Sequence, residues 1–174
     1  MRVLGVFFAC LLVRLIPFRA PNIEPILSMQ MPFAKRYGAL TAFVFGFASI
    51  ALYDGVTLRV GMWTVVTALA YGMLGVLSNM YFKNRSASQK NFLVAAVFGT
   101  LLYDALTGLS IGPLFFHQSF AMAIAGQIPF TALHLLGNVV FAYLLSPAIY
   151  RWLIYDPAPT PASVSLSLIP SPYI

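Results

Sequence analysis

Long runs of apolar residues constrain this chain more than any other feature of its sequence. A transmembrane helix needs roughly 20 mostly apolar residues, and five runs come close to or exceed that length. They occupy residues 3–18, 38–54, 60–82, 91–112 and 118–150. A shorter sixth run at 23–34 is broken by Pro25 and Pro32. The pattern predicts an all-α, polytopic membrane bundle with six transmembrane helices, the second one short, or five if the short run only re-enters the membrane.

The composition leaves little room for a water-soluble fold. Of the 174 residues, 60% are hydrophobic and 8% are charged, whereas soluble domains carry about 25% charged residues. The net charge is +6, but the bases separate apolar runs instead of forming a basic face. This spacing argues against nucleic-acid binding and for contacts with lipid headgroups. Residues 1–152 are predicted to form one transmembrane helical domain, and the Pro- and Ser-rich residues 153–174 a disordered C-terminal tail.

The basic residues also indicate how the chain is oriented. In the six-span arrangement, one side carries Arg2, Lys35, Arg36, Lys83, Arg85, Lys90 and Arg151. The other side carries only Arg14, Arg19 and Arg59. Cytoplasmic loops are enriched in Lys and Arg, so both termini are predicted to be cytoplasmic. A five-span arrangement would remove this bias.

The last apolar run is too long for a single straight crossing. Pro129 lies within it and lacks the N–H that a helix interior requires. We therefore expect a half-helix or an outer-surface segment first, followed by a full span from about Phe130.

Acidic residues near the ends of the runs are the first candidates for chemistry. Asp54 and Asp104 close two similar stretches, and the six-span arrangement places both toward the outer side together with Glu24 and His117. Ionisable groups at membrane depth usually face a cavity or a partner. The alternative is structural, with the two aspartates bonding neighbouring helix ends or pairing with arginines.

Polar residues also recur along the last run. Gln127, Thr131, His134 and Asn138 are spaced to lie on one helical face, which should point into the bundle because facing lipid would leave them unpaired. They could line a pocket or simply hold helices together. A milder face, to which we assign little functional weight, comprises Thr64, Thr67, Tyr71 and Ser78.

Common enzyme and metal motifs are missing. The sequence has no GxxxxGK[ST] loop, HExxH or GxSxG. The two histidines are too far apart for a local metal motif, and the single cysteine, Cys10, excludes a CxxC site. No enzyme, cofactor or metal site is predicted.

Several short motifs together indicate a family. They are Arg14-Leu15-Ile16-Pro17, Pro21-Asn22-Ile23-Glu24-Pro25, Ile128-Pro129-Phe130 and Leu135-Leu136-Gly137-Asn138. Over roughly residues 1–152, the chain resembles the substrate-binding S components of energy-coupling-factor (ECF) vitamin transporters, particularly small members of that superfamily.

The resemblance implies a specific function. S components capture a vitamin or related micronutrient near the outer face of the prokaryotic cytoplasmic membrane, and they dock on a transmembrane coupling subunit that works with two ATPase subunits. Docking uses small residues of the first helix, for which Gly5 and Ala9 are the candidates here. The candidate substrate-binding residues are Glu24, Asp54, Asp104, His117, His134 and Asn138.

Two other functions remain open. The chain could be a non-transport scaffold subunit of a cell-envelope complex, with its polar residues holding the helices together. It could also be an intramembrane enzyme, which a metal bound to a reactive His134 would indicate.

Overall fold

The computed structural model describes residues 2–18 and 22–154, and this part of the chain is helical with no strand. Its seven helices are α1 (Arg2–Leu15), α2 (Ile26–Tyr37), α3 (Ala39–Val56), α4 (Met62–Phe82), α5 (Gln89–Gly108), α6 (Ile111–Phe115) and α7 (Phe120–Ile154). Arg19, Pro21 and the tail beyond α7 lie outside the described residues. Every predicted apolar run contains a helix.

Four stretches are long and apolar enough to cross a membrane. They are α3, α4, Gln89–Phe115 with α5 and α6, and α7 up to Leu153. The predicted all-α, multi-pass membrane bundle is therefore confirmed. The helices α1 and α2, with 14 and 12 residues, are shorter than the roughly 20 residues of a full crossing.

The short helix α2 forms the centre of the bundle. Residues 25–34 are all buried, and α2 packs against α1, α3, α4, α5 and α7. At 1.5 Å per residue, its 12 residues rise about 18 Å, against about 30 Å for the hydrocarbon core. The central helix therefore fills only part of the depth of the bundle.

Contacts between helix termini show which ends lie together. Arg2 Nη1 donates to the Trp152 carbonyl at 2.7 Å, and Lys35 Nζ to the Phe82 carbonyl at 2.8 Å. The Phe92 ring lies 4.9 Å from Phe82 and 6.3 Å from Tyr150, measured between centroids. The start of α1 and of α5 and the ends of α2, α4 and α7 therefore share one end of the bundle, here called the Arg2 end. The opposite end, which carries the α3–α4 turn, is called the Arg59 end.

Two prolines inside helices are compensated by side chains from neighbouring helices. A proline cannot donate to the carbonyl four residues before it, which is Ser28 for Pro32 and Tyr143 for Pro147. Ser146 Oγ donates to the Ser28 carbonyl at 2.6 Å, and Gln89 Nε2 donates to the Tyr143 carbonyl at 3.2 Å. These bonds tie α2 to α7 and α5 to α7 at the points where the helix ladders are incomplete.

The helix α7 is continuous, so the predicted break at Pro129 is wrong. It runs without interruption through 35 residues, or about 52 Å at 1.5 Å per residue. A proline removes one ladder bond, while a true break would leave several backbone groups without partners in an apolar setting, which costs more. The helix also continues two residues past the predicted domain end at residue 152.

Glycines allow α3 and α4 to approach closely around one side chain of α2. Gln30 Nε2 donates to the carbonyls of Ala42 and Tyr71, each at 2.8 Å. A Cβ on Gly46 would lie 2.6 Å from the backbone carbonyl oxygen of Tyr71 in α4. A Cβ on Gly75 would lie 2.6 Å from the backbone carbonyl carbon of Ala42 in α3. Only residues without a side chain fit at this crossing.

We predict that Gly75→Ala lowers the stability of the bundle, because the added methyl group would meet the backbone of α3. Overpacking of this kind costs about 1–3 kcal/mol. The matched control is Gly55→Ala, where a Cβ has no neighbour within 4 Å and alanine favours the helix by up to about 1 kcal/mol. Thermal unfolding of the detergent-solubilised variants measures the difference. Equal stability of the two variants would contradict the close approach of α3 and α4.

Candidate functional site

A buried ion pair joins the end of α1 to the segment before α2. Arg14 is only 6% exposed, and its Nε lies 3.1 Å from Glu24 Oε2. Its Nη1 donates to the Ser49 carbonyl at 2.5 Å, and the guanidinium stacks 4.0 Å from the centroid of the Tyr53 ring. Charges inside a membrane protein need such partners. The orientation predicted from the sequence counts Arg14 among the bases at the outer membrane surface. In the structure Arg14 is buried and connects α1, α3 and Glu24.

A chain of hydrogen bonds continues from Glu24 through the bundle. The Tyr71 hydroxyl lies 2.7 Å from Glu24 Oε1 and 3.2 Å from His134 Nε2. The other ring nitrogen of the histidine, Nδ1, lies 2.7 Å from Asp104 Oδ1. Four ionisable groups from the pre-α2 segment, α4, α7 and α5 are thus bonded in series.

A second bond joins α5 and α7 beside this chain. Asn138 Nδ2 donates to Thr100 Oγ1 at 2.8 Å, and both residues are at most 1% exposed. Thr100 precedes Asp104 by four residues, and Asn138 follows His134 by four, so the two bonded pairs are neighbours along the same helix faces. We call the whole set the central polar cluster, which comprises Arg14, Glu24, Tyr71, Thr100, Asp104, His134 and Asn138.

Aromatic rings surround the histidine at the centre of the cluster. The Tyr103 ring contacts His134 edge-on at 5.6 Å between centroids, and the Phe130 ring does so at 5.8 Å. Tyr103 also lies 4.3 Å from Tyr71. His134 is only 2% exposed, and hydrogen bonds in such a buried, apolar setting are electrostatically stronger than in water.

The structure brings together four of the six predicted substrate-binding residues: Glu24, Asp104, His134 and Asn138. Asp54 belongs to a separate bond, because its Oδ2 accepts from Thr64 Oγ1 at 2.6 Å and links the end of α3 to the start of α4. This is the structural alternative considered for the aspartates. His117 is exposed in the segment after α6 and takes no part in the chain of bonds.

The polar stripe of α7 is divided in two. His134 and Asn138 are buried, whereas Gln127 and Thr131 are half-buried and bond each other at 3.1 Å. Gln127 and Thr131 lie in a groove together with Leu109, Ile128 and other apolar residues of α7. The helical spacing therefore predicted the direction of the stripe, but not how deep each residue would lie.

Three members of the cluster had no place among the predicted site residues. Tyr71 and Thr100 have neutral side chains on apolar helices, and Arg14 is predicted as an orientation signal and a possible partner of the aspartates, whereas the structure pairs it with Glu24. The sequence did contain one clue for Tyr71, its place on the milder polar face of α4. A tyrosine in an apolar helix is too common a feature to distinguish a buried link from an interfacial residue.

Two buried acceptors in the cluster have no donor among the described residues. They are Asp104 Oδ2 and Asn138 Oδ1, both on residues at most 1% exposed. An unsatisfied buried acceptor costs about 1–3 kcal/mol, so its presence in a structure requires an explanation. Asp104 belongs to α5 and Asn138 to α7, two helices that pack against each other.

Within the described residues, no group of three or more His, Cys, Asp or Glu side chains could hold a metal ion. The chemistry that the cluster offers is hydrogen bonding and proton transfer between neighbouring groups. Comparison with protein-family models, curated proteins and solved structures found no match.

Proposed function

We propose that this protein is the membrane-embedded, substrate-binding subunit of an ECF-type uptake transporter for a micronutrient. The observation that carries the proposal is the pair of buried, donorless acceptors, Asp104 Oδ2 and Asn138 Oδ1, set in the central polar cluster. A substrate with N–H or O–H groups would satisfy both oxygens.

The architecture supports a binding site on the Arg59 side of the cluster. Glu24 lies just before α2, and Tyr71 and His134 are interior residues of their helices, so the central helix begins only at the level of the cluster. In the first 14 residues of α7, from 120 to 133, only Ala123 is buried. Among the described residues, no central helix occupies this half of the bundle, and most residues of this stretch of α7 are exposed.

The groups present define the class of substrate. Glu24, Asp104 and Asn138 offer acceptor oxygens, and the Tyr71 and Tyr103 rings offer flat surfaces. Small clefts with a few convergent polar groups among aromatic walls are typical ligand sites. We propose a small, donor-bearing molecule with a flat ring, held by Glu24, Asp104, His134 and Asn138.

We predict that gently purified protein retains a small molecule that mass spectrometry identifies. Asp104→Asn and Asn138→Ala should each weaken its binding by about 1–3 kcal/mol, or roughly 5- to 150-fold, because each removes an acceptor. His117→Ala is the control and should bind normally, since His117 is exposed outside the cluster. Binding that is unchanged in both cluster variants, or lost in the control, would contradict the proposed site.

The second candidate function is a non-transport scaffold of a cell-envelope complex. It is favoured by the fact that most polar groups of the cluster bond one another, as in a network that only joins helices. If the wild type retains no ligand and the cluster variants unfold, the cluster is structural and the transport proposal fails.

The exposed face of α1 supports docking on a partner helix. Gly5 and Ala9 are both exposed, and a Cβ on Gly5 would meet nothing within 4 Å. Phe8 and Leu12, also exposed, extend the same face. Small residues let helices approach closely in membranes, so we propose that this face binds the transmembrane coupling subunit, which in turn binds the ATPase subunits.

We predict that Gly5→Leu and Ala9→Leu abolish co-purification of ATPase subunits from native membranes while the bundle stays folded. The matched control is Gly126→Leu on α7, which is also exposed and has no neighbour within 4 Å. If the α1 variants retain their partners, or if the control loses them equally, the docking face is wrong.

The positive charges support an orientation in a prokaryotic cytoplasmic membrane. All seven bases assigned to the cytoplasm lie at or beside the Arg2 end. Five belong to terminal turns of α1, α2, α5 and α7, and Lys83 and Arg85 belong to the α4–α5 turn. Exposed Arg59 lies at the other end. We propose that the Arg2 end and both termini are cytoplasmic.

We predict that in a Cys10-free background an impermeant thiol reagent added outside intact cells labels Arg59→Cys but not Ser86→Cys. Both positions are exposed in turns at opposite ends of the bundle. Permeabilised cells serve as the control, because both cysteines should then react. The reverse pattern in intact cells would show that the orientation is wrong.

A further inference from the structure

The series of hydrogen bonds from Glu24 to Asp104 requires a fixed number of protons. Three contacts follow one another, at 2.7 Å from Glu24 to Tyr71, 3.2 Å from Tyr71 to His134 and 2.7 Å from His134 to Asp104. A hydrogen bond needs one proton between its two heavy atoms. Three bonds in series therefore need three protons.

The ordinary protonation states supply only two. A tyrosine hydroxyl has one O–H, a neutral imidazole has one N–H, and ionised carboxylates have none. If Tyr71 donates to Glu24 and His134 Nδ1 donates to Asp104, the lone pair of His134 Nε2 faces the lone pairs of the Tyr71 oxygen. If Tyr71 instead turns its proton to His134, its oxygen faces Glu24 Oε1 at 2.7 Å with nothing between them. Every arrangement of two protons leaves one contact repulsive.

We infer that the four hydrogen-bonded side chains Glu24, Tyr71, His134 and Asp104 form a membrane-embedded proton-binding site. The site holds one proton more than a neutral histidine, a tyrosine and two ionised carboxylates carry. With that proton all three bonds form at once. The ligand is a proton exchanged with water, and no covalent bond other than O–H or N–H is made or broken. The inference goes beyond the proposed function and does not depend on it, because it follows from counting the protons that join these four side chains.

The surroundings favour one position for the additional proton. The Arg14 guanidinium, 3.1 Å from Glu24, stabilises an ionised carboxylate there. At the other end, Asp104 pairs directly with the histidine ring, so the proton belongs to His134 and Asp104. The charged and titratable groups on the elements packed around them are Arg14 of α1, Glu24 before α2, Asp54 of α3, Tyr71 of α4 and Tyr103 of α5.

Nitrogen-15 spectroscopy of the histidine ring tests this inference on the full chain in lipid nanodiscs. His117→Gln leaves His134 as the sole labelled histidine. We expect both ring nitrogens of His134 to carry protons at about pH 8, where an ordinary histidine, with a pKa of about 6.5, is neutral. Tyr71→Phe removes the middle of the chain and should convert His134 to a neutral ring at the same pH. Tyr143→Phe, an exposed α7 position, is the matched control and should not.

Infrared spectroscopy covers the case in which the proton resides on oxygen. A neutral His134 together with a protonated-carboxyl band that Asp104→Asn removes also supports the inference, whereas a band that only Glu24→Gln removes overturns the position assigned to the proton. A neutral His134 with no such band in the wild type overturns it, and that result needs no variant to fold. An imidazolium that persists in folded Tyr71→Phe would overturn the role of the chain.

Discussion

The ion pair between Arg14 and Glu24 determines how the rest of the bundle can be arranged. A guanidinium at the end of a membrane helix normally extends to the headgroups, but Arg14 is buried and bonded to α3 and to Glu24. This contact holds the segment before α2 inside the bundle. Since Glu24 is followed almost immediately by Ile26, the first residue of α2, the depth of the ion pair also sets the depth at which the central helix begins.

The remaining helices adapt to a short, fully buried centre. Nine consecutive buried residues in α2 include Ser28, Gln30 and Pro32, whose polar groups would be costly in contact with lipid. Ser146 Oγ donates to the Ser28 carbonyl that Pro32 leaves free, Gln30 Nε2 donates to backbone carbonyls of α3 and α4, and the Ser28 hydroxyl donates to the Pro25 carbonyl just before the helix. Polar residues in α2 thus specify which helices surround it, and the glycines of α3 and α4 set how closely they approach.

The sequence allowed the membrane class and each helical run to be predicted, because burial in lipid leaves a strong apolar signal. Spacing along α7 also placed His134 and Asn138 on one inward face. Pro129 predicts a break in α7, but the helix continues, because losing one ladder bond costs less than leaving several backbone groups unpaired in lipid. Tyr71 is absent from the predicted site residues, whereas His117 is among them but lies exposed outside the cluster, and both differences have a common reason. The depth of a polar residue depends on which helices meet there, and local sequence does not encode that.

The same contacts bear on whether the polar network only joins helices or also has a function. In a purely structural network every buried polar atom gains by being paired, and additional apolar residues would serve equally well. Here the bonds use ionisable groups in series, and two buried acceptors, Asp104 Oδ2 and Asn138 Oδ1, have no donor among the described residues. Each costs about 1–3 kcal/mol while it has no donor. They are therefore the atoms of the cluster whose pairing by a bound molecule would lower the free energy most.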